Sequence, residues 1–219
     1  MGAGPCGKTS IAHYFYTGKY LGQETITTNG IDYHFKFASW KDKKIKLILW
    51  DISGQEKYIS LAAGFLRGVQ ALLLVFSLTP IDYRVEKKYK EAEGEEKLKI
   101  QKEYTQETFK EVSFWLQQFK IFNTQEKKII YLIGNKCDDS ENRIINLKDA
   151  KQYAQKNNFK YFEISAKTGR NIQKVFWSLT LDLMKIYSPE ARHSDKKKQK
   201  EKKSKGQYFK NYLNKFQNC

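Results

Sequence analysis

Hydrophobic positions along the chain fall into two rhythms. Short apolar runs over Ile31–Trp40, Ile45–Trp50, Ala71–Phe76, Ile129–Ile133 and Tyr161–Ile164 read as strands. Lys8–Tyr16, Thr105–Phe122, Leu147–Asn157 and Ile172–Tyr187 read as helices. In the second of these Phe109, Val112, Leu116 and Phe119 recur at spacings of three and four. The runs 71–76 and 128–134 lack polar alternation, which suits central parallel strands covered on both faces. Strand and helix alternate, so the pattern predicts an α/β doubly wound fold, a mostly parallel central sheet flanked by helices.

Composition narrows the class. The chain has 219 residues, 40% of them hydrophobic and 15% aromatic, enough for a sizeable core and too many for a disordered chain. The longest uninterrupted apolar stretch, Ala71–Phe76, is too short to span a bilayer, and no secretory leader is expected. Three cysteines lie far apart, at 6, 137 and 219, which argues for a reducing compartment. Secreted, membrane-spanning and fibrous classes are thereby set aside. Charge adds the most. The net charge is +16, and residues 192–219 hold ten basic side chains against two acidic ones. Such an excess calls for an anionic partner. Asp82–Tyr104 carries seven basic and seven acidic residues with few apolar positions and reads as a solvated helix or a mobile insert. The expected organisation is a domain over 1–188, with an insert at 82–104, followed by a tail over 189–219.

Four segments point to one ligand. Gly2-Ala3-Gly4-Pro5-Cys6-Gly7-Lys8-Thr9 fits G-x-x-x-x-G-K-[ST], with Ser10 next in line. Glycines such as Gly2, Gly4 and Gly7 let the backbone approach a diphosphate, and the following helix N-terminus favours its charge. Lys8 would reach the β- and γ-phosphates, and the Thr9 hydroxyl would bind Mg²⁺. Asp51-Ile52-Ser53-Gly54-Gln55-Glu56 follows a strand: Asp51 can support the Mg²⁺ shell, Gly54 can turn its N–H to a γ-phosphate, and Gln55 can orient an attacking water. Standing alone, this segment would read as a plain strand-ending turn. Asn135-Lys136-Cys137-Asp138 also follows a strand. A buried carboxylate at Asp138 could accept two hydrogen bonds from guanine, whose donor pair adenine lacks. Asn135 can bridge the base edge and the phosphate loop, and the Lys136 stem can lie along the base. Ser165-Ala166-Lys167 after the last strand would offer a backbone N–H to the guanine carbonyl. Alone, each of the last two is an ordinary polar loop. Together, in this order and at strand ends, the four outline one crevice.

These residues resemble the Ras superfamily of small GTPases, most of all its Rab branch. Thr28-Asn29-Gly30-Ile31-Asp32-Tyr33 is similar to the Rab switch I, which makes Thr28 a ligand of Mg²⁺ and the γ-phosphate by resemblance. Trp50-Asp51 and Gly54-Gln55-Glu56 resemble switch II, and Phe65-Leu66-Arg67-Gly68 resembles the segment after it. Tyr33, Trp50 and Phe65 match the family's aromatic cluster, though ordinary core packing would explain them equally. The likeness spans about 2–188 apart from the insert. It implies GTP/GDP binding with Mg²⁺ and hydrolysis of GTP with Gln55 as the catalytic residue. It implies a switch in vesicle traffic, read by effector, exchange and activating proteins at 28–33 and 51–68. The expected place is the cytoplasmic face of an intracellular membrane.

Several positions depart from that pattern. The family has a central strand before the phosphate loop, and here Gly2 almost opens the sequence; the expectation is a truncated or misassigned start, because two neighbouring strands would otherwise lose their partner. Pro5 removes a backbone N–H from the phosphate cradle. Ile52-Ser53 replaces Thr-Ala, and Ser77 replaces an Asp common in Rabs. These changes leave a hydrolysis-poor, GTP-binding scaffold as the alternative. In the tail, Tyr208, Phe209, Tyr212, Leu213 and Phe216 share one helical face opposite Lys210 and Lys215, a basic amphipathic pattern suited to an anionic bilayer surface. Cys219 is the last residue and the candidate lipidation site, although Rab tails usually carry two cysteines. A nucleic-acid partner is not expected, since the aromatic face is arranged for burial.

Overall fold

The computed structural model describes residues 1–22, 28–40 and 43–187, with Trp40 and Lys43 described by backbone alone. The tail with Cys219 therefore lies outside the described residues. The elements run α1 (Lys8–Thr17), β1 (Ile31–Trp40), β2 (Lys43–Ile52), a 3₁₀ turn (Glu56–Tyr58), α2 (Ile59–Leu66), β3 (Ala71–Ser77), α3 (Tyr83–Glu91), α4 (Gly94–Phe122), β4 (Ile129–Asn135), α5 (Leu147–Lys156), β5 (Lys160–Glu163) and α6 (Ile172–Tyr187).

The parallel core is β3-β4-β5, with Leu74 opposite Leu132 and Ile133 opposite Phe162. Both faces are covered. Leu72, Leu74, Phe76 and Leu132 pack on one side with Leu66 of α2, Trp115 and Phe119 of α4 and Ala150 of α5. Val75, Tyr131 and Ile133 pack on the other with Ile11 and Phe15 of α1 and Phe176 and Leu179 of α6. Two apolar layers explain why these strands read as unbroken apolar runs. β1 and β2 form a separate antiparallel hairpin, with Tyr33 opposite Trp50 and Phe35 opposite Ile48. Among the described residues the hairpin is not hydrogen-bonded to the parallel sheet as a ladder, so the expected single sheet is divided in two.

Two helices extend the sequence reading. α4 begins at Gly94 instead of Thr105, because the charged stretch ahead of Thr105 is held down by buried Ala92 and Ile100. Gln101 Nε2 adds a hydrogen bond of 2.8 Å to the Ile144 carbonyl. The rest of the expected insert is α3, begun by Asp82, whose side chain accepts from the Arg84 N–H. The segment is thus two helices docked on the domain rather than a free one. α1 starts after Gly7 at φ 92° and stops at Gly18 at φ 73°, whose N–H bonds the Tyr14 carbonyl.

Candidate functional site

The C-terminal ends of β3, β4 and β5 and the N-terminus of α1 open on the same side of the molecule, and the four segments meet there. No side chain caps α1 and its first turn holds no acidic residue, so its leading amides are free to face an anion. Gly7 is needed twice: its φ is left-handed, and a Cβ would strike the Asn135 amide. Gly54 approaches the phosphate loop closely, since a Cβ there would sit 2.6 Å from Lys8 Nζ and 2.7 Å from the Gly4 nitrogen. Gly2 is buried and Gly4 exposed, with Pro5 also exposed at the outer edge of the loop. Ser10 lies inside α1 and is buried.

Three side-chain oxygens gather at one point. Thr9 Oγ1 donates to Asp51 Oδ2 at 2.6 Å and lies 2.7 Å from Thr28 Oγ1, which is 3.5 Å from the same carboxylate oxygen. Thr9, Thr28 and Asp51 come from three separate segments, and Asp51 is buried. A set of hard oxygens around one point fits Mg²⁺, which prefers one or two carboxylates together with phosphate oxygens. Lys8 Nζ donates to the carbonyls of Ala3 (2.9 Å) and Gly4 (3.1 Å), so its ammonium stands over the loop where phosphates would lie.

The base side is tied together by Asn135, which is buried. Its Nδ2 donates to the Cys6 carbonyl at 2.9 Å, and its Oδ1 accepts the Ala166 N–H at 3.1 Å. It therefore links the phosphate loop, as the expected bridge from the base edge would, to the Ser165–Lys167 loop, a partner the sequence did not suggest. Lys136 takes a left-handed φ of 68°, and burial lowers its ammonium pKa. Ser165 is fully enclosed and its Oγ accepts the Thr168 N–H, while Lys167 points to solvent. Asp138 departs from expectation: it is exposed here, not buried, while Lys136, Cys137 and Asp139 around it are half-buried.

Sequence reasoning missed three supports. Arg143 clamps Glu163 through two nitrogens, at 2.9 and 2.6 Å, and also bonds the Ile145 carbonyl, pinning the base loops to β5. Burial pushes the Glu163 carboxyl up, but hydrogen bonds from Arg143 and Tyr161 more than reverse it, leaving its pKa low. No local signal marks a pair twenty positions apart. Ser53 is the third: its buried Oγ accepts the Gln55 N–H at 3.3 Å, a turn that a Ser two residues before its partner does encode. Gln55 itself is half-buried at the start of the 3₁₀ turn. Beside it, Tyr33, Trp50 and Phe65 do assemble, with ring centroids 5.5 and 4.9 Å apart. Tyr33 (57%) and Phe65 (46%) stay exposed, which favours a contact face over core packing.

The Ras family model matches residues 1–93 and 99–185. Ras-related protein Rab-27B of Homo sapiens is 33% identical over 194 residues, covering 84% of this chain and 77% of that protein. Ras-related protein Rab-3D of Homo sapiens is 30% identical over 176 residues, covering 80% and 68%. Ras-related protein Rab-3 of Caenorhabditis elegans is 27% identical over 179 residues, covering 82% and 69%. With its phosphate loop, hydroxyl–carboxylate cluster and base loops in one crevice, the chain belongs to the Ras family of small GTPases, among its Rab-like members.

Proposed function

We propose that this chain binds GTP and GDP with Mg²⁺ and hydrolyses GTP to switch effector binding in membrane traffic. The observation that carries the reading is the convergence of Thr9, Thr28 and Asp51 beside Lys8 and the uncapped start of α1. Thr9 and Thr28 would hold the cation, with Asp51 orienting the Thr9 hydroxyl, and the cation would neutralise phosphate charge. Lys8 would exchange the Ala3 and Gly4 carbonyls for phosphate oxygens. The Gly54 N–H would face the γ-phosphate and Gln55 would orient the attacking water. Asp138, Asn135, Lys136 and the Ala166 N–H would select guanine. Thr28 and the Asp51–Gln55 loop, ordered in the GTP form, would present 28–33 and 51–68 to effectors and regulators. The basic tail 192–219 would rest on an anionic cytosolic membrane face, with Cys219 the lipidation site.

Competition of GDP, GTP and ATP for the purified chain, with and without Mg²⁺, tests the binding. Guanine-selective, Mg²⁺-dependent retention is expected, and equal ATP binding would overturn the reading. Single-turnover hydrolysis with Gln55→Leu tests the reaction. A scaffold that scarcely hydrolyses is the second reading, favoured by Pro5 at the rim of the cradle, and it would be indifferent to that change. Vesicle co-sedimentation with and without 189–219 tests the tail, and equal binding to anionic lipid would remove it.

A further inference from the structure

The added front of α4 gives the molecule a groove that lies apart from the crevice. α4 and α5 each lead into a strand of the parallel sheet, so they run side by side in one direction. Between them, from Leu98 to Phe109 on α4 and from Asn146 to Lys156 on α5, lies a groove of about 550 Å³. None of its lining comes from 28–33, 51–68 or the four nucleotide segments. The Ras family match breaks off over 94–98, so the turn that carries Leu98 is this chain's own addition.

The groove is apolar at both ends and unsatisfied in the middle. Leu98 is 65% exposed at its upper end. At the other end the rings of Phe109 and Tyr153 stack at 4.6 Å and 8°, with the Tyr153 hydroxyl 2.8 Å from Ser113 Oγ. Thr105 lines the wall between them. Its hydroxyl is buried without a hydrogen-bond partner, a costly state that a polar group entering the groove would relieve. Charge is one-sided. Lys102 and Lys156 are exposed on the two walls, and neither has an ion-pair partner among the described residues. The Asp149 carboxylate, by contrast, is taken up by the Asn146 amide at 2.7 Å.

We propose that this groove docks an amphipathic helix of another protein, apolar on the face that meets Leu98, Phe109 and Tyr153 and acidic on the flanks that meet Lys102 and Lys156. A helix is favoured over an extended segment because both walls are helices and offer no free backbone edge. An extended segment would bury its own N–H and C=O groups unpaired, whereas a helix satisfies them internally. The length agrees: Leu98 and Phe109 stand eleven residues apart, about 16 Å at ~1.5 Å per residue, which is three turns of a docked helix. An acid-flanked partner is favoured over this chain's own tail because 192–219 is strongly basic and would set lysine against lysine. The groove owes nothing to nucleotide chemistry, so its partner stands or falls independently of the GTPase reading.

Fluorescence anisotropy of a labelled helical peptide, titrated with the full chain, tests the docking. The probe has about fourteen residues, with leucine at i, i+3, i+7 and i+10 and glutamate on both flanks. Binding in the micromolar range is expected. Lys102→Glu combined with Lys156→Glu should weaken it at least about fivefold, and a lysine-flanked peptide should recover that loss on the double variant. Leu98→Asp should weaken it about tenfold. All three positions are exposed, so Tm should stay within about 2 °C. A peptide with a central proline should bind at least about tenfold more weakly. Equal binding of glutamate- and lysine-flanked peptides to the unaltered chain, variants that bind as it does, or no binding up to millimolar peptide would each overturn the proposal. Equal binding of the proline peptide would overturn the helical occupant. Sodium laurate below its micellar concentration should not displace the probe; displacement that depends on Lys102 and Lys156 would overturn the assignment in favour of an acyl ligand.

Discussion

The two sides of the crevice are built differently. The base side is held by bonds within the protein: Asn135 to Cys6 and Ala166, the Cys137 N–H to the Ile164 carbonyl at 3.0 Å, and Arg143 to Glu163. The phosphate side, apart from the phosphate loop itself, rests on a few contacts: the Thr9–Thr28–Asp51 oxygens, the Ser53 N–H to the Gly30 carbonyl at 2.9 Å, and the Ser53–Gln55 turn. A site that must grip its ligand gains from groups fixed beforehand, since less ordering is left to binding. A site that must change shape when one phosphate leaves gains from groups that the ligand itself holds together. The first set should therefore respond to mutation in stability and affinity, the second in rate.

The largest expected effect lies at the root of the phosphate loop. In a polypeptide whose first residue is Met1, burial, and then the charge of Lys8, pushes the Met1 amine from an ordinary value near 8 down to about 5. Between these values the unfolded chain holds the proton and the folded one does not. Stability should thus fall as pH drops from about 8 to about 5 and level off below, with a ceiling of about 4 kcal/mol at ~1.36 kcal/mol per unit. Urea unfolding across that range checks it. N-terminal acetylation should flatten the slope, and a slope unchanged by acetylation would assign it to other groups.

Next comes Asn135→Ala. It leaves the Cys6 carbonyl and the Ala166 N–H buried without their partner, a loss of about 2–4 kcal/mol in unfolding free energy. Nucleotide retention should fall with it, because the two loops lose their link. If stability held while retention fell, the tie would be an effect of the ligand and the base side would not be fixed beforehand. Arg143→Met is smaller, about 1–2 kcal/mol, since the pair is partly open to water and screened. Exchange of GDP should quicken several-fold, with catalytic turnover little changed.

The same contrast explains what the sequence disclosed. Ile172–Tyr187 was legible to the residue because one buried face writes a helical period, and β3 and β4 nearly so because burial on both faces leaves an unbroken apolar run; Ile31–Trp40 was matched too, although its Tyr33, Phe35 and Phe37 lie on the exposed face. α2 was not, being eight residues of almost unrelieved apolarity, and the front of α4 was hidden by charge because only Ile100 and Thr105 of its first turns are buried. The four segments stood out because phosphate chemistry restricts local spacing, and the fold brings them to one crevice. Arg143–Glu163 did not, because it depends on which strand ends the fold brings together, and neither did the exposure of Asp138.

The smallest energetic effect should be the most telling for the phosphate side. Ser53→Ala removes one hydrogen bond of 3.3 Å to the Gln55 N–H, and nothing else in the crevice. The bond is long, so its loss should cost no more than about 1 kcal/mol of stability. Guanine-nucleotide affinity should stay within about twofold, since ~0.4 kcal/mol is all that such a change in binding represents. Gln55 would nonetheless start from a less fixed turn, and the placement of the attacking water proposed for it would depend on that turn. Single-turnover GTP hydrolysis should therefore shift several-fold while binding does not. A variant in which rate and affinity moved together would mean that this loop is tied to the grip on nucleotide after all, and the division between the two sides would fail at its weakest point.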